Sequence, residues 1–164
     1  MHPRLSLRRA SAMVECSALA LERNSHTPGV SISLDLEHVR SNGSLHWPRA
    51  ALNGIAQHEN NRITEDGAEA VSLALGHLYR EWRVIRRMQR EEHADWLLED
   101  VRGKRQVVAL EVSGVDKGSI AARIAEKLKQ VSRSIDVDQR WAGVVGFGEP
   151  IAALHFTKRT ARGN

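Results

Sequence analysis

The sequence predicts an α/β (α+β) fold in which two helices pack on a mixed sheet. From residue 63 onward, the hydrophobic pattern indicates the order helix, strand, strand, strand, helix, strand. The chain has 164 residues and 41% hydrophobic content, which is enough for one domain with a core. Aromatic residues make up only 4%, so aliphatic side chains must form most of that core.

Residues 1–62 are predicted to form an N-terminal extension of a helix, a hairpin and a second helix. Helical spacing indicates the first helix at residues 9–23, with a strand at residues 18–21 as the alternative. Strict alternation at residues 30–36 predicts a half-exposed strand. Residues 41–44 (Ser-Asn-Gly-Ser) predict a hairpin turn, followed by a return strand from residue 45 to 47. Pro48 suits the first turn of a helix that runs to about His58.

The first core helix is predicted to begin at Thr64, whose side chain can cap it. Glu65 and Asp66 follow in the first turn, where acids complement the helix dipole. Apolar residues at helical spacing form its expected buried face: Ala68, Val71, Leu75, Leu78 and Trp82. A short strand is predicted at residues 84–88.

Residues 95–114 indicate two strands joined by a polar turn at residues 102–105. Asp95 opens the first of these strands, and Glu111 interrupts the apolar run of the second. A carboxylate at a buried strand end is costly to desolvate unless a metal, a cation or hydrogen-bond donors face it. Asp95 and Glu111 are therefore the main candidate site residues.

Ser119 is predicted to cap the second core helix, whose buried face repeats at helical spacing through residues 120, 124, 128 and 131. Aspartates at 136 and 138 end that helix, and residues 141–147 predict an apolar strand. The chain is thus divided into an extension (1–62), a core (63–156) and a basic tail (157–164).

The net charge is +4 and the sequence pI is near 9.7, which is compatible with a nucleic-acid partner but also with ordinary solubility. The single cysteine, Cys16, excludes an intramolecular disulfide and fits a reducing compartment. We find neither an apolar run of transmembrane length nor a signal-peptide core, so the predicted location is the cytoplasm. P-loop, dinucleotide-binding, cysteine-zinc and serine-elbow motifs are absent from the sequence.

The element order, with Asp95 at the second core strand and Glu111 on the third, resembles the PD-(D/E)xK nuclease superfamily, whose fold is also called restriction-endonuclease-like. The resemblance covers roughly residues 63–148, and Glu65 matches the additional acid that members often carry on the first core helix. It implies a metal-dependent nuclease in which Asp95 and Glu111 bind Mg²⁺ or Mn²⁺.

One position departs from the superfamily pattern, because Ser113 stands where the motif lysine is expected. Superfamily members can carry this lysine elsewhere, and the candidates here are Lys117 in the following loop and Lys127 on the next helix. Each candidate site residue also has a non-catalytic interpretation. Glu111 could form an ion pair with a basic residue on the neighbouring helix. Asp95 and Lys117 could face solvent, and Glu65 could only complement the helix dipole.

Basic residues close to these acids in sequence are candidates for contacting nucleic-acid phosphates: Arg86, Arg87, Arg123 and Lys129. Alternatively, they form solvated faces balanced by neighbouring glutamates. The resemblance also implies a homodimer, for which the hairpin at residues 30–47 offers an interface. We expect a nuclease with DNA as the favoured substrate. The alternative is a catalytically inactive module that binds nucleic acid or a protein partner, and such a module could serve as a subunit of a larger complex.

Overall fold

The computed structural model describes residues 5–48 and 60–157. These residues form a mixed α/β fold of three α-helices and a seven-stranded sheet. The helices are α1 (Leu7–Arg23), α2 (Asn60–Arg80) and α3 (Ile120–Val131). The strands are β1 (Val30–Leu36), β2 (Val39–Leu45), β3 (Trp82–Arg87), β4 (Trp96–Asp100), β5 (Gln106–Val115), β6 (Gln139–Gly146) and β7 (Ile151–Thr157). From α2 to β6, the elements follow the order predicted from the hydrophobic pattern.

The sheet has the strand order β2-β1-β7-β6-β5-β4-β3. Strands β1 and β7 are parallel, as are β5 and β6, and the other neighbours are antiparallel. The N-terminal hairpin therefore extends the same sheet as the core strands. Strand β7 was not predicted, and the last strand predicted from the sequence ends at residue 147. None of the helices among the described residues is long and apolar enough to cross a membrane.

The two faces of the sheet carry different helices. Val108 and Leu110 of β5 lie in the large core that also includes residues of α1 and α2. Ala109, between them, packs instead against Val131 of α3. Because side chains alternate along a strand, Glu111 also points to the α3 face. This alternation determines which helix can supply a partner for Glu111.

The N-terminal helix and the strand at residues 30–36 are confirmed as α1 and β1. The predicted turn at residues 41–44 is wrong, because these residues lie within β2 and the chain turns at Glu37 and His38. Contacts with other elements hold the turn there: the Glu37 N–H donates to the Leu154 carbonyl at 2.9 Å, and Tyr79 Oη donates to Glu37 Oε2 at 3.0 Å. The return strand expected at residues 45–47 is also wrong, since β2 ends at Leu45.

The helix predicted from Pro48 to about His58 falls on residues 49–59, outside the described part of the chain. Helix α2 begins at Asn60, so the prediction that Thr64 caps it is wrong. Thr64 is buried inside the helix, where its Oγ1 accepts a hydrogen bond from Arg23 Nη2 at 2.8 Å. The predicted buried face is wrong at its end as well: Leu78 is 74% exposed, and Trp82 begins β3.

The remaining core elements agree with the sequence prediction. The hairpin of residues 95–114 is confirmed as β4 and β5, with turn residues at 101–105. Ser119 caps α3, since its Oγ accepts from the Ala122 N–H at 3.3 Å. Strand β5 continues to Val115, one residue beyond the predicted end of the hairpin at residue 114. This longer strand carries Glu111 well inside the sheet.

Candidate functional site

Asp95 and Glu111 lie side by side at the end of the β4–β5 pairing. Asp95 immediately precedes β4, and the register of Trp96 with Leu110 places it opposite Glu111. The Asp95 N–H donates to the Leu110 carbonyl at 3.0 Å, while Asp95 Oδ2 accepts from the Val112 N–H at 2.8 Å. Glu111 is only 4% exposed. The structure thus brings together the two acids singled out in the sequence.

The two carboxyl groups hold protons more tightly than isolated acids do. Burial raises the pKa of Glu111 to about 7, and the neighbouring charge of Asp95 adds to the rise, against the opposing effect of Lys127. Burial also raises the pKa of Asp95, although the hydrogen bond from Val112 and the charge of Lys127 oppose it. Two carboxylates that share a site cannot both ionise easily. The positive charge of Lys127 therefore does not fully offset the effect of burial on the two carboxyl groups.

A lysine from α3 reaches this acid pair. Lys127 Nζ donates to Glu111 Oε1 at 2.6 Å and to Gln130 Oε1 at 3.1 Å. Ser113, two residues after Glu111, carries no charge, and the ammonium group beside Glu111 comes from Lys127 on α3. Lys117 is exposed in the loop after β5 and forms no hydrogen bond or ion pair with either acid among the described residues.

Helix α2 contributes an acid, but Glu65 is not the one near Asp95. Glu65 is exposed, whereas Glu69, one turn later, is only 4% exposed. Burial raises the pKa of Glu69 to about 7, opposed by Arg87 and reinforced by the charge of Asp95. Glu69 was not predicted as a site residue, because Glu65 was chosen for its resemblance to the additional acid on the superfamily's first core helix. The available signal was an acid placed directly after Ala68, inside the buried stripe of α2.

Ion pairs with two arginines hold the Glu69 side chain in place. Arg87 Nη2 donates to Glu69 Oε1 at 2.8 Å, and its guanidinium lies 5.4 Å from the Trp96 ring centroid. Arg9 Nη2 lies 3.4 Å from Glu69 Oε2 and 2.9 Å from Asp66 Oδ1. These contacts connect α1, α2 and β3 around one buried carboxyl group. Arg87, predicted to contact phosphates, is thus also a structural partner of Glu69.

The other predicted phosphate contacts lie in exposed positions. Arg86 forms two hydrogen bonds with Glu92, at 2.7 and 2.6 Å, and Arg123 pairs with Glu126 at 2.9 Å. Lys129 is exposed on α3. Exposed ion pairs contribute little free energy, so these guanidinium groups can exchange a carboxylate for a phosphate at small cost.

The oxygen-rich donor set fits a hard divalent cation. Asp95 and Glu111 offer carboxylate oxygens, which are the ligands that Mg²⁺ and Mn²⁺ prefer. The raised pKa values of Glu111 and Glu69 indicate that the positive charges already present do not neutralise these acids. A bound cation would supply the missing charge. The residues present therefore fit such an ion.

Comparisons with models of known protein families, with curated proteins and with solved structures find no match. The resemblance to the PD-(D/E)xK superfamily accordingly rests on the element order and on the acidic residues described above.

Proposed function

We propose that this protein is a metal-dependent nuclease that hydrolyses phosphodiester bonds in nucleic acid, with DNA as the favoured substrate. The observation that carries the proposal is the contact of Lys127 Nζ with Glu111 at 2.6 Å, beside Asp95. Two adjacent carboxyl groups and an ammonium group are the functional groups that the motif of this superfamily supplies. Lys127 compensates for Ser113, because the ammonium group of a helix residue can contact the same phosphate as a lysine at position 113 would.

Each of these groups has a definite role in the proposed reaction. Asp95 and Glu111 would hold Mg²⁺ or Mn²⁺, and the charge of Glu69 acts on Asp95 from α2. When bound, the ion would neutralise phosphate charge and make a nearby water more acidic. Lys127 would orient the attacking water and stabilise the negative charge that develops on the phosphate.

The protonation of the acid pair predicts how activity depends on pH. Ligand carboxylates must lose their protons before they bind a metal. Since the pKa of Glu111 is about 7, metal binding and cleavage should be weak in acid and rise with pH through about 7. A pH–rate profile measured at constant free Mn²⁺ tests this sign.

The surrounding basic residues support a polyanionic substrate. Arg86 and Arg123 are 44% and 40% exposed at the side chain, so both can reach phosphates. Phosphate contacts release counterions and make affinity fall steeply with salt. Substituting Arg123 with alanine should weaken DNA binding about equally for all sequences and flatten the salt dependence.

A second candidate function is an inactive module that binds nucleic acid or a protein partner. It is favoured by the direct contact between Lys127 and Glu111, because this contact partly satisfies the acids without a metal. The two functions differ in metal affinity. A nuclease should bind Mn²⁺ through Asp95 and Glu111, whereas an inactive module need not.

The deciding experiment measures cleavage of single-stranded, duplex and branched DNA, and of RNA, with Mg²⁺ or Mn²⁺ and an EDTA control. Glu111→Gln and Lys127→Ala are compared with Glu126→Gln, which removes an acid on α3 whose side chain is 60% exposed. Metal-dependent cutting that is lost in the first two variants and kept in the third supports the nuclease. Intact substrates throughout, without Mn²⁺ binding, would support the inactive module instead.

A further inference from the structure

A second cluster of potential metal ligands lies outside the acid pair. It consists of Asp35 on β1, His38 in the β1–β2 turn and His155 on β7, and their ligand atoms all lie within 4.8 Å of one another. The parallel register of Asp35 with Ala153 brings these distant parts of the chain together. The sequence does not predict the cluster, because His155 is far along the chain from Asp35 and His38.

Two donor atoms of this cluster, Asp35 Oδ1 and His155 Nε2, are buried without a hydrogen-bond partner among the described residues. Asp35 Oδ1 lies 3.1 Å from His155 Nε2, yet the contact lacks hydrogen-bond geometry, and neither atom has another hydrogen-bond partner among the described residues. His155 is only 7% exposed. Buried polar atoms in folded proteins are nearly always satisfied. Asp35 Oδ1 and His155 Nε2 lie within ion-pair distance of each other, and both atoms are free of hydrogen bonds that would compete with a shared cation.

The turn that carries His38 has an unusual backbone. Glu37 and His38 both have positive φ angles, 52° and 69°, in a two-residue turn where Asn-Gly is the usual choice. Two hydrogen bonds hold the turn in this strained form: the Glu37 N–H donates to Leu154 of β7, and Tyr79 of α2 donates to the Glu37 carboxylate. The His38 ring consequently stands edge-on to the His155 ring, with centroids 4.3 Å apart. The turn thus carries an imidazole at a position whose left-handed backbone conformation favours glycine.

We propose that Asp35, His38 and His155 bind a transition-metal dication of the Zn²⁺ class. Two imidazoles and one carboxylate suit Zn²⁺ and its neighbours rather than Mg²⁺. With metal–ligand bonds of about 2.0–2.1 Å, ligand atoms lie about 2.9 Å apart at right angles and about 3.4 Å apart in a tetrahedron. The 3.1 Å between Asp35 and His155 falls in this range. The exposed His38 ring would turn inward as the ion binds.

Three protein ligands leave at least one coordination position for water or another ligand. Asp35 also lines an open depression of about 480 Å³, together with Ser33, Arg40 and Asn42. An additional ligand could therefore approach the ion from solvent.

The proposed site is independent of the acid pair and does not rest on the nuclease proposal. Glu111 pairs with Ala142, and Ala142 pairs with His155, so two strand spacings separate Glu111 from His155. That distance is about 10 Å, whereas two-metal catalytic sites hold their ions about 4 Å apart. The two sites should accordingly bind different ions separately.

The test is titration of the full-length, tag-free protein with Zn²⁺ by calorimetry and with Co²⁺ by visible absorption. We expect one tightly bound ion per chain and at least a tenfold loss of affinity in Asp35→Asn, His155→Ala and His38→Gly. His46→Ala is the matched control, because His46 is exposed outside the cluster and should leave binding unchanged. Absence of Zn²⁺ binding by the wild type, or equal affinity in all four variants, would overturn the proposal.

Two features of the variants keep the result interpretable. Glycine accepts the φ angle of His38, so His38→Gly removes a ligand while favouring the observed turn. Glu111→Gln should bind Zn²⁺ as tightly as the wild type, even if it loses all Mn²⁺-dependent cleavage. Loss of the Zn²⁺ ion in Glu111→Gln, with binding kept in His155→Ala, would assign the ion to the acid pair and refute the second site.

Discussion

Replacing Glu111 with glutamine should stabilise the metal-free protein at pH 8. Burial raises the pKa of Glu111 from its ordinary 4.5 to about 7, so the folded state binds this proton more tightly than the unfolded state. The associated stability is present in full below about pH 4.5, falls as the pH rises, and is lost above about pH 7. At about 1.4 kcal/mol per pKa unit, the loss amounts to about 3 kcal/mol. Glutamine cannot ionise and avoids this loss.

The assay is urea unfolding of the wild type and Glu111→Gln at pH 4.5 and pH 8 in EDTA, with Glu126→Gln as the control. We expect nearly equal free energies of unfolding at pH 4.5 and an advantage of up to about 3 kcal/mol for Glu111→Gln at pH 8. Glu69 also titrates near neutrality, but it is present in all three proteins and its contribution cancels. Parallel pH curves for the wild type and Glu111→Gln would refute the argument.

The same unfolding assay can be repeated with Mn²⁺ in place of EDTA. An ion that binds only the folded state at one hundred times its Kd stabilises that state by about 2.7 kcal/mol. Mn²⁺ should therefore stabilise the wild type at pH 8 and leave Glu111→Gln nearly unchanged. If Mn²⁺ has no effect on the wild type, the acid pair does not bind the ion, and the inactive module becomes the better hypothesis.

Three further predictions follow from particular contacts. Glu69→Gln should lower the cleavage rate at least tenfold, whereas Glu65→Gln should change it little because that side chain is exposed; equal rates in steady-state assays would remove Glu69 from the site. Asp100→Ala should destabilise the fold by roughly 3–5 kcal/mol in urea unfolding, because Asp100 is fully buried and accepts from Arg80 at 2.8 and 3.0 Å; a loss below about 1 kcal/mol would contradict this. His38→Gly should raise the metal-free melting temperature, since relief of a left-handed histidine gains about 1 kcal/mol; a lower melting temperature would show that the ring stabilises the turn.

The strongest sequence inferences came from local patterns. The polar turn between two apolar runs indicated that Asp95 and Glu111 would be neighbours, because a hairpin pairs residues at matched distances from its turn. Ser119 was correctly predicted as a cap, since capping depends on a side chain and a backbone N–H three residues away. Such features need no knowledge of the rest of the molecule.

The errors occurred where another element decided the local structure. Asn42 and Gly43 carry a turn signal, yet contacts of Glu37 with β7 and α2 moved the turn upstream. Thr64 carries a cap signal, yet it lies inside α2 and accepts a hydrogen bond from Arg23. The predicted start at Thr64 placed Glu65 in the first turn of the helix, whereas the buried acid of α2 is Glu69. In each case tertiary contacts outweighed an intrinsic preference of a fraction of a kcal/mol to about 1 kcal/mol.

The sequence alone determined the fold class, the order of the core elements and the acid pair, because periodicity and hairpin spacing are properties of short segments. Only the tertiary structure selected Lys127 over Lys117, since that choice depends on which face of β5 the helix α3 covers. The same is true of the cluster of Asp35 and His155, which the parallel pairing of β1 with β7 creates. Contacts between distant segments depend on packing, and packing is settled by the whole chain at once.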